Sequence, residues 1–241
     1  MNVYGDRGNI LTLVQRCRWR GIEIDVNERG VGDASSFIAS DIIFAGGGQD
    51  RDQVAVSLDL QGSTGQALKE AVEADAVVLT VCGTYQLLGT YFKTGDGDDL
   101  PGVGIFDAWT IAGPRRFIGD TVVQATLDGQ AFELVGFENH SGRTFLGPLG
   151  EPLGKVVIGV GNNGEDGNEG TRYRNAFGTY LHGPLLPKNP AFADYLILLA
   201  LRRRYGADAT LPALDDSVEQ AAHRVVVERV KRRGRVRSGA T

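Results

Sequence analysis

Residues 76–89 read Ala-Val-Val-Leu-Thr-Val-Cys-Gly-Thr-Tyr-Gln-Leu-Leu-Gly, and they set the expected architecture of the chain. The apolar run 76–81 is rich in β-branched residues, which is typical of a strand buried on both faces. Cys82 ends the run, Gly83 permits a sharp turn, and apolar residues resume at helical spacing from Tyr85. A strand, a tight turn and a helix in this order predict an α/β fold. Cys82 is then expected at the carboxyl edge of a parallel sheet, where ligands bind in such folds.

The position of Cys82 makes it a candidate nucleophile. A helix N-terminus carries partial positive charge, which favours a thiolate over a thiol. The free amides of the first helical turn, including that of Gly83, can hold an oxyanion during acyl transfer. The alternative is that Cys82 is a small buried residue without chemistry, since free cysteine is among the most buried residue types.

Composition limits the classes of protein that the chain can belong to. A chain of 241 residues with 42% hydrophobic content can bury the core of one α/β domain, with room for an appendage. A formal net charge of −5 argues against general affinity for nucleic acid. Its 2 cysteines lie far apart and no secretory signal or transmembrane run is evident, so we expect a cytoplasmic protein with reduced thiols.

Before the elbow, the chain is expected to contain an N-terminal helix, two further strands, and two helices within residues 49–72 that are broken near Gly62. Asn9 can cap a helix that ends at Gly21, and Cys17 on its inner stripe is expected to be core. The segments 22–26 and 41–45 have the composition of strands. No strand is predicted before the first helix, although open α/β sheets usually begin with one.

The C-terminal half is expected to be richer in turns. Segments 114–120 and 136–144 are predicted as loops between short strands, and 176–181 is predicted as a strand that leads directly into His182. We place the main domain at residues 1–205, followed by a C-terminal helix and basic tail at 206–241.

A thiol nucleophile needs a base, and imidazole is the usual one. Of the 3 histidines, His223 lies on a charged helix, and His140 could line a site or cap a turn. His182 ends a buried strand as Cys82 does, and parallel strands would bring both to one edge, so the expected dyad is Cys82 with His182. A structural histidine is the alternative. Many cysteine hydrolases of this architecture have a glutamate two residues after the histidine, where this chain has Pro184. The group that orients the imidazole must then come from elsewhere in the chain or from another protein.

Several motifs together resemble class I glutamine amidotransferases of the cobyric acid synthase type, and within them the GatD-type subunits of lipid II isoglutaminyl synthase. The resemblance covers nearly the whole chain and weakens in the C-terminal helix. It implies a three-layer, flavodoxin-like α/β fold with a mostly parallel central sheet and a C-terminal helical extension. The motifs are Tyr4-Gly-Asp-Arg-Gly-Asn9, Gly46-Gly-Gly-Gln-Asp-Arg51, Cys82-Gly-Thr-Tyr-Gln86, Gly136-Phe-Glu-Asn-His-Ser-Gly-Arg143, Thr179-Tyr-Leu-His-Gly-Pro184 and Leu181-His-Gly-Pro-Leu-Leu-Pro-Lys-Asn189.

The resemblance implies a thioester mechanism. Cys82 attacks the side-chain amide of L-glutamine, forms a γ-glutamyl thioester and releases ammonia, while His182 shuttles the proton. Backbone amides of Gly83 and of the loop at Gly47 and Gly48 are implied to form the oxyanion hole. The residues alone leave that loop open to a simpler interpretation as an ordinary turn.

Two further residues are implied to hold substrate. Arg116 matches the family arginine that binds the α-carboxylate, a task that suits the bidentate guanidinium fork. Gln86 is a weaker candidate, because it could simply lie on the elbow helix. Thr84 departs from the family, which usually has a second glycine there.

The resemblance also implies a partner. GatD-type subunits form a heterodimer with a Mur-ligase-like synthetase, MurT, which binds ATP and magnesium. MurT uses the ammonia to amidate the α-carboxyl of D-glutamate in the stem peptide of lipid II, during peptidoglycan synthesis. The partner is implied to supply the acidic residue that Pro184 replaces. We expect no cofactor or metal in this chain, which contains no G-x-x-x-x-G-K-[ST] motif.

Three alternatives stay open from the sequence. The subunit could serve another acceptor such as a corrin precursor, although enzymes of that kind usually carry their synthetase domain on the same chain. It could be a degenerate fold that only docks on a ligase, or a cysteine hydrolase that acts without a partner.

Overall fold

A computed structural model describes residues 6–33, 36–48, 50–95 and 99–238. The helices are α1 (Arg7–Arg18), α2 (Asp50–Leu60), α3 (Ser63–Glu73), α4 (Gly83–Leu88), α5 (Leu185–Lys188), α6 (Pro190–Tyr205) and α7 (Ser217–Ser238). The strands are β1 (Ile42–Ala45), β2 (Val77–Val81), β3 (Tyr91–Lys93), β4 (Asp99–Pro101), β5 (Ala108–Leu127), β6 (Gln130–Leu146), β7 (Gly154–Ile158), β8 (Asn168–Glu169), β9 (Thr171–Tyr173) and β10 (Ala176–Thr179). The prediction that no strand precedes α1 concerns residues 1–5, and these lie outside the described residues, as does Gln49 of the glycine-rich loop.

The first sheet has the order β1-β2-β10-β9. Strands β1, β2 and β10 run parallel, and β9 is antiparallel at one edge. All five residues of β2 are buried, as the unbroken apolar run predicts. Because the carboxyl ends of parallel strands meet at one edge, the segments that follow β1, β2 and β10 converge there. The predicted α/β class with a mostly parallel central sheet is confirmed.

The second sheet is built on a long hairpin. Its order is β4-β3-β5-β7-β8, and β6 pairs antiparallel with β5 along most of its length. Asp128 and Gly129 at the tip have φ of 49° and 79°, values that a two-residue hairpin turn requires.

The hairpin corrects two loop predictions. Segments 114–120 and 136–144 lie within β5 and β6, with a register shift between Ala112 and Phe117. Glycine, proline and polar residues give these segments low intrinsic strand propensity. Cross-strand pairing satisfies the backbone there, and such tertiary context routinely overrides β propensity.

Helix α6 provides much of the core on one face of the first sheet. Its apolar face is buried there together with Cys17 of α1, so the expectation of a core position for Cys17 is confirmed. Burial raises the pKa of the Cys17 thiol to about 11, which keeps it protonated. Full burial of an aromatic side chain such as Phe192 contributes about 1.5–3 kcal/mol.

The predicted strand at 22–26 is wrong. The segment pairs with no strand in the part of the chain that is described, although Ile22 and Ile24 pack against the core. Alternating apolar side chains can bury one face without a neighbouring strand to complete a ladder.

Helix α7 packs on the hairpin sheet. Val227 and Val230 are buried against Val122 of β5 and Val135 of β6. Among the described residues, no helix has the length and apolar character needed to cross a membrane.

Candidate active site

Cys82 lies at a strained turn between β2 and α4. Its φ of 53° and ψ of −109° are unusual for a residue with a Cβ, and conformations of this kind cost about 1–3 kcal/mol. The Cys82 amide donates to the Thr179 carbonyl (2.8 Å), and the Cys82 carbonyl accepts from the Gln86 amide (3.0 Å). These two bonds hold the elbow between β10 and α4, with the thiol partly exposed.

Thr84 ties the elbow to the loop after β1. Its hydroxyl lies 2.7 Å from the Ala45 carbonyl oxygen and 2.8 Å from that of Gly46. A glycine at position 84 could not make this link. A side chain at position 83 would be crowded, because a Cβ there would lie 2.2 Å from Gln53 Nε2.

His182 follows β10 and faces Cys82, as the sequence predicts. Its backbone exchanges hydrogen bonds with Phe137 of β6 (2.9 and 3.1 Å), and its side chain is only 1% exposed. Burial lowers the pKa of His182, but its interactions with Asp6 and Cys82 outweigh the effect of burial and raise the pKa to about 9. The structure therefore brings the predicted dyad together with the imidazole favoured in its charged form.

Asp6 completes this cluster and was missed by reasoning from the sequence. Its carboxylate is fully buried, with Oδ1 3.5 Å from His182 Nδ1. Its other oxygen, Oδ2, accepts the Gly47 amide (2.7 Å). In the sequence, Asp6 is distinguished only by its place within the motif at residues 4–9. Nothing in that motif indicates a contact with the distant residue His182.

Gly47 lies between all three side chains. A Cβ at this position would lie 3.0 Å from His182 Cε1 and 3.5 Å from both Cys82 Cβ and Asp6 Oδ2. Because the Gly47 amide is engaged by Asp6, the predicted oxyanion hole depends on Gly48 and Gly83 in this state. Gly83 is the first residue of α4, whose first amides have no acceptor within the helix.

Gln86 is held inside the protein at both ends of its amide. Its Oε1 accepts from Gln53 Nε2 (3.2 Å), and its Nε2 donates to the Tyr180 hydroxyl (3.0 Å). The Tyr180 hydroxyl also lies 2.6 Å from that of Thr144. This network fixes α4 against β10 and β6, and the predicted contact between Gln86 and substrate stays a prediction.

Arg116 lies at the irregular part of the hairpin and is exposed. Its Nε and Nη2 donate to the side-chain and backbone oxygens of Asn139, each at 2.9 Å. The guanidinium is thus oriented by its neighbour on β6, and the predicted role in carboxylate binding stays a prediction.

His140 is an interior residue. Its ring stacks on Tyr180 with centroids 3.5 Å apart, and Nδ1 lies 2.8 Å from the Gly142 carbonyl oxygen. Burial, together with the nearby charges of Arg143, His182 and Arg116, lowers the pKa of His140 to about 3. An enclosed imidazole with such a low affinity for a proton is poorly suited to act as the base for Cys82.

The arrangement suits nucleophilic acyl transfer. A thiol at a helix N-terminus, an imidazole beside it and a carboxylate behind the imidazole have the geometry of an activated nucleophile. No group of three or more residues suited to holding a metal occurs among the described residues.

Comparisons with known proteins agree with this chemistry. Residues 1–190 match the CobB/CobQ-like glutamine amidotransferase domain family. The chain is 41% identical to the lipid II isoglutaminyl synthase (glutamine-hydrolyzing) subunit GatD of Staphylococcus aureus (strain N315), over 98% of this chain and 95% of that protein. It is 40% identical to the subunit of the same name from Streptococcus pneumoniae (strain ATCC BAA-255 / R6), over 91% and 84%. A crystal structure of a glutamine amidotransferase matches with a TM-score of 0.51 and 16% identity, over 79% of this chain and 93% of that one, which supports the fold alone.

Proposed function

The chain belongs to the CobB/CobQ-like family of glutamine amidotransferases, and we propose that it is the glutaminase subunit of a lipid II isoglutaminyl synthase. The observation that carries this proposal is the placement of the buried His182 imidazole beside Cys82, on either side of Gly47, at a strained strand-to-helix elbow. The GatD relatives, similar along almost their whole length, support the choice of this subunit over other members of the family.

The reaction begins with a thiolate and an imidazolium. The Cys82 sulfur attacks the side-chain carbonyl carbon of L-glutamine, and a tetrahedral intermediate forms whose oxyanion faces the amides of Gly83 and Gly48. His182 donates its proton to the nitrogen, the carbon–nitrogen bond breaks, and ammonia leaves with a γ-glutamyl thioester on Cys82. Water then attacks the thioester, His182 takes its proton, and glutamate leaves as the thiolate re-forms.

Two side chains are proposed to select glutamine. Arg116 binds the α-carboxylate through the part of its fork that faces away from Asn139. Gln86 supports substrate binding indirectly, because its side-chain contacts hold helix α4 in place. A bound substrate would then extend from the exposed guanidinium of Arg116 to the dyad.

The ammonia is proposed to pass to a Mur-ligase-like partner of the MurT type. That partner would use ATP and magnesium to activate the α-carboxyl of D-glutamate in the stem peptide of lipid II, in the cytoplasm. Support comes from the relatives, which are named as subunits of such a synthase.

The decisive experiment measures glutamate release from glutamine by the purified chain, alone and with a co-expressed Mur-ligase-like partner. We expect Cys82→Ala to abolish glutamate and ammonia release while it leaves partner binding intact. Residual glutaminase activity in Cys82→Ala contradicts the thioester mechanism. Turnover of glutamine by the pair without amidation of lipid II contradicts the assigned acceptor.

A further inference from the structure

The long hairpin is irregular at one place. Residues 113–116 of β5 have only Ser141 opposite them on β6, because the regular pairing stops at Ala112 and resumes at Phe117. The extra residues form a bulge, called here the 113–116 bulge. Bulges next to active sites commonly re-aim a side chain, and this one carries Arg116, the residue proposed to bind the α-carboxylate of glutamine.

The 113–116 bulge is folded around the guanidinium of Arg143, which extends from β6. Nη1 of this guanidinium donates to the Ser141 carbonyl (3.0 Å), and Nη2 donates to the Arg115 carbonyl (2.7 Å). The Arg143 Cζ lies 3.2 Å from the centre of the Phe117 ring, which is a cation–π contact. Gly113 packs on the same group, since a Cβ there would lie 2.9 Å from Arg143 Cζ. The beginning, the middle and the end of the irregular stretch therefore all contact one side chain.

We propose that Arg143 is a positioning residue for the substrate, a role that rests on the proposed glutaminase function. Arg143 holds the 113–116 bulge in the conformation in which Arg116 presents its guanidinium to the α-carboxylate of glutamine. Arg143 does not take the carboxylate itself, because its terminal nitrogens donate to backbone carbonyls and its guanidinium covers an aromatic ring. Recognition of the substrate then depends on two arginines, one that binds and one that places it.

Strand β6 provides the fixed side of this arrangement, next to the dyad. Arg116 donates to both oxygens of Asn139, each at 2.9 Å. Two residues earlier on β6, Phe137 exchanges backbone hydrogen bonds with His182. Asn139 is thus held beside the dyad, whereas the backbone of Arg116 belongs to β5. The two meet in the observed geometry because Arg143 draws the bulge against β6.

The test compares two substitutions of the same kind in the same region. Arg143→Gln removes the guanidinium around which the bulge is folded. Arg115→Gln is the matched control, because it removes the same charge from the bulge itself. The Arg115 side chain is exposed and makes no hydrogen bond or ion pair within the described part of the chain, and its backbone carbonyl stays available to Arg143.

The expected effect is on KM. If the bulge holds the competent conformation only about one third to one tenth of the time, the apparent affinity falls in proportion, so Arg143→Gln is expected to raise the KM for glutamine about 3- to 10-fold. The value of kcat is expected to stay within about twofold, since the dyad is untouched. Arg143→Lys keeps the charge but cannot bridge two carbonyls, and it is expected to raise KM nearly as much. Arg115→Gln is expected to leave KM within about twofold of wild type.

A double-mutant cycle separates positioning from an independent effect. If Arg143 acts through Arg116, Arg143→Gln raises KM in the wild type and does not raise it further when Arg116 is already alanine. Two independent contributions would instead multiply in the double variant.

A second readout does not depend on glutamine. Trypsin cleaves after arginine once the backbone opens locally, so mass spectrometry can follow cleavage between Arg116 and Phe117 in the native protein. Arg143→Gln is expected to speed this cleavage at least about fivefold, because a larger fraction of the molecules has an open bulge. Arg115→Gln keeps the bond after Arg116 and is expected to leave its rate unchanged. Should Arg143→Gln not fold, Gly113→Ala disturbs the same contact from the side of the bulge and is read in both assays.

The inference is overturned if folded Arg143→Gln keeps the wild-type KM, if Arg115→Gln raises KM as much, or if the effects of Arg143→Gln and Arg116→Ala multiply. Unchanged tryptic cleavage in Arg143→Gln overturns it as well. If the wild-type chain releases no glutamate even with its partner, the proposed function fails. Faster cleavage in Arg143→Gln then still supports the role of Arg143 in holding the bulge.

Discussion

Substitution of Gly47 by alanine tests whether the geometry of the cluster limits the reaction. The new Cβ would lie 3.0 Å from His182 Cε1, tighter than an ordinary contact, so something must move by a few tenths of an ångström. Because Cε1 lies between the two ring nitrogens, any movement of the ring alters the contacts with both Asp6 and Cys82. His182 has little room to retreat, since its backbone is hydrogen-bonded to Phe137 and its side chain is buried.

The expected loss can be given in magnitude. A displacement of 1 Å costs about 10²-fold in rate, so a shift of about 0.3–0.5 Å is expected to lower kcat about 4- to 10-fold. Overpacking costs about 1–3 kcal/mol, and the lower entropy of an unfolded chain with alanine offsets about 0.4–1 kcal/mol of it. The expected net loss in the free energy of unfolding is therefore between about 0 and about 2.6 kcal/mol.

The assay is glutamate release at saturating and limiting glutamine, with the free energy of unfolding measured by urea titration. Gly30→Ala is the matched control, because a Cβ at Gly30 would meet nothing within 4 Å. A Gly47→Ala variant that folds and keeps kcat within about twofold of wild type would refute the argument, since it would show that the dyad tolerates this movement.

Two further predictions follow from the site and its surroundings. Arg116→Ala is expected to raise the KM for glutamine at least about tenfold, and Arg116→Lys is expected to raise it less, with smaller changes in kcat for both variants. If steady-state kinetics show an unchanged KM, Arg116 does not bind the substrate. Glu169 has a pKa raised from 4.5 to about 8 by burial, so its contribution to stability is present below pH 4.5 and is lost as the pH rises through 8, a change of up to about 5 kcal/mol. Glu169→Gln is expected to flatten the fall in Tm between pH 5 and 9, and parallel Tm curves for the two proteins would contradict this.

Much of the candidate site could be predicted because it follows from local patterns. The buried strand, the cysteine at its end and the helix after it are encoded within 76–89. His182 could be paired with Cys82 because the residues that follow parallel strands lie at the same edge of the sheet. This rule can be applied without knowing how the side chains pack. The structure places both side chains there.

The hairpin shows where local patterns stop being informative. Segments 114–120 and 136–144 have turn-rich compositions and yet form parts of β5 and β6. Residues 117–120 and 137–140 pair with each other across the hairpin, and neither stretch contains that information alone.

The sequence by itself determined the α/β class, the elbow at Cys82 and the sheet edge shared by Cys82 and His182. Hydrophobic periodicity identifies each buried strand locally, and parallel strands place the residues that follow them at one edge. Only the tertiary structure decided that Asp6 stands behind His182 and that the Gly47 amide is committed to Asp6. Those contacts join residues that are far apart in the sequence. They depend on how α1 packs against the turn after His182, and such packing is set by the summed fit of many distant side chains and not by any local spacing.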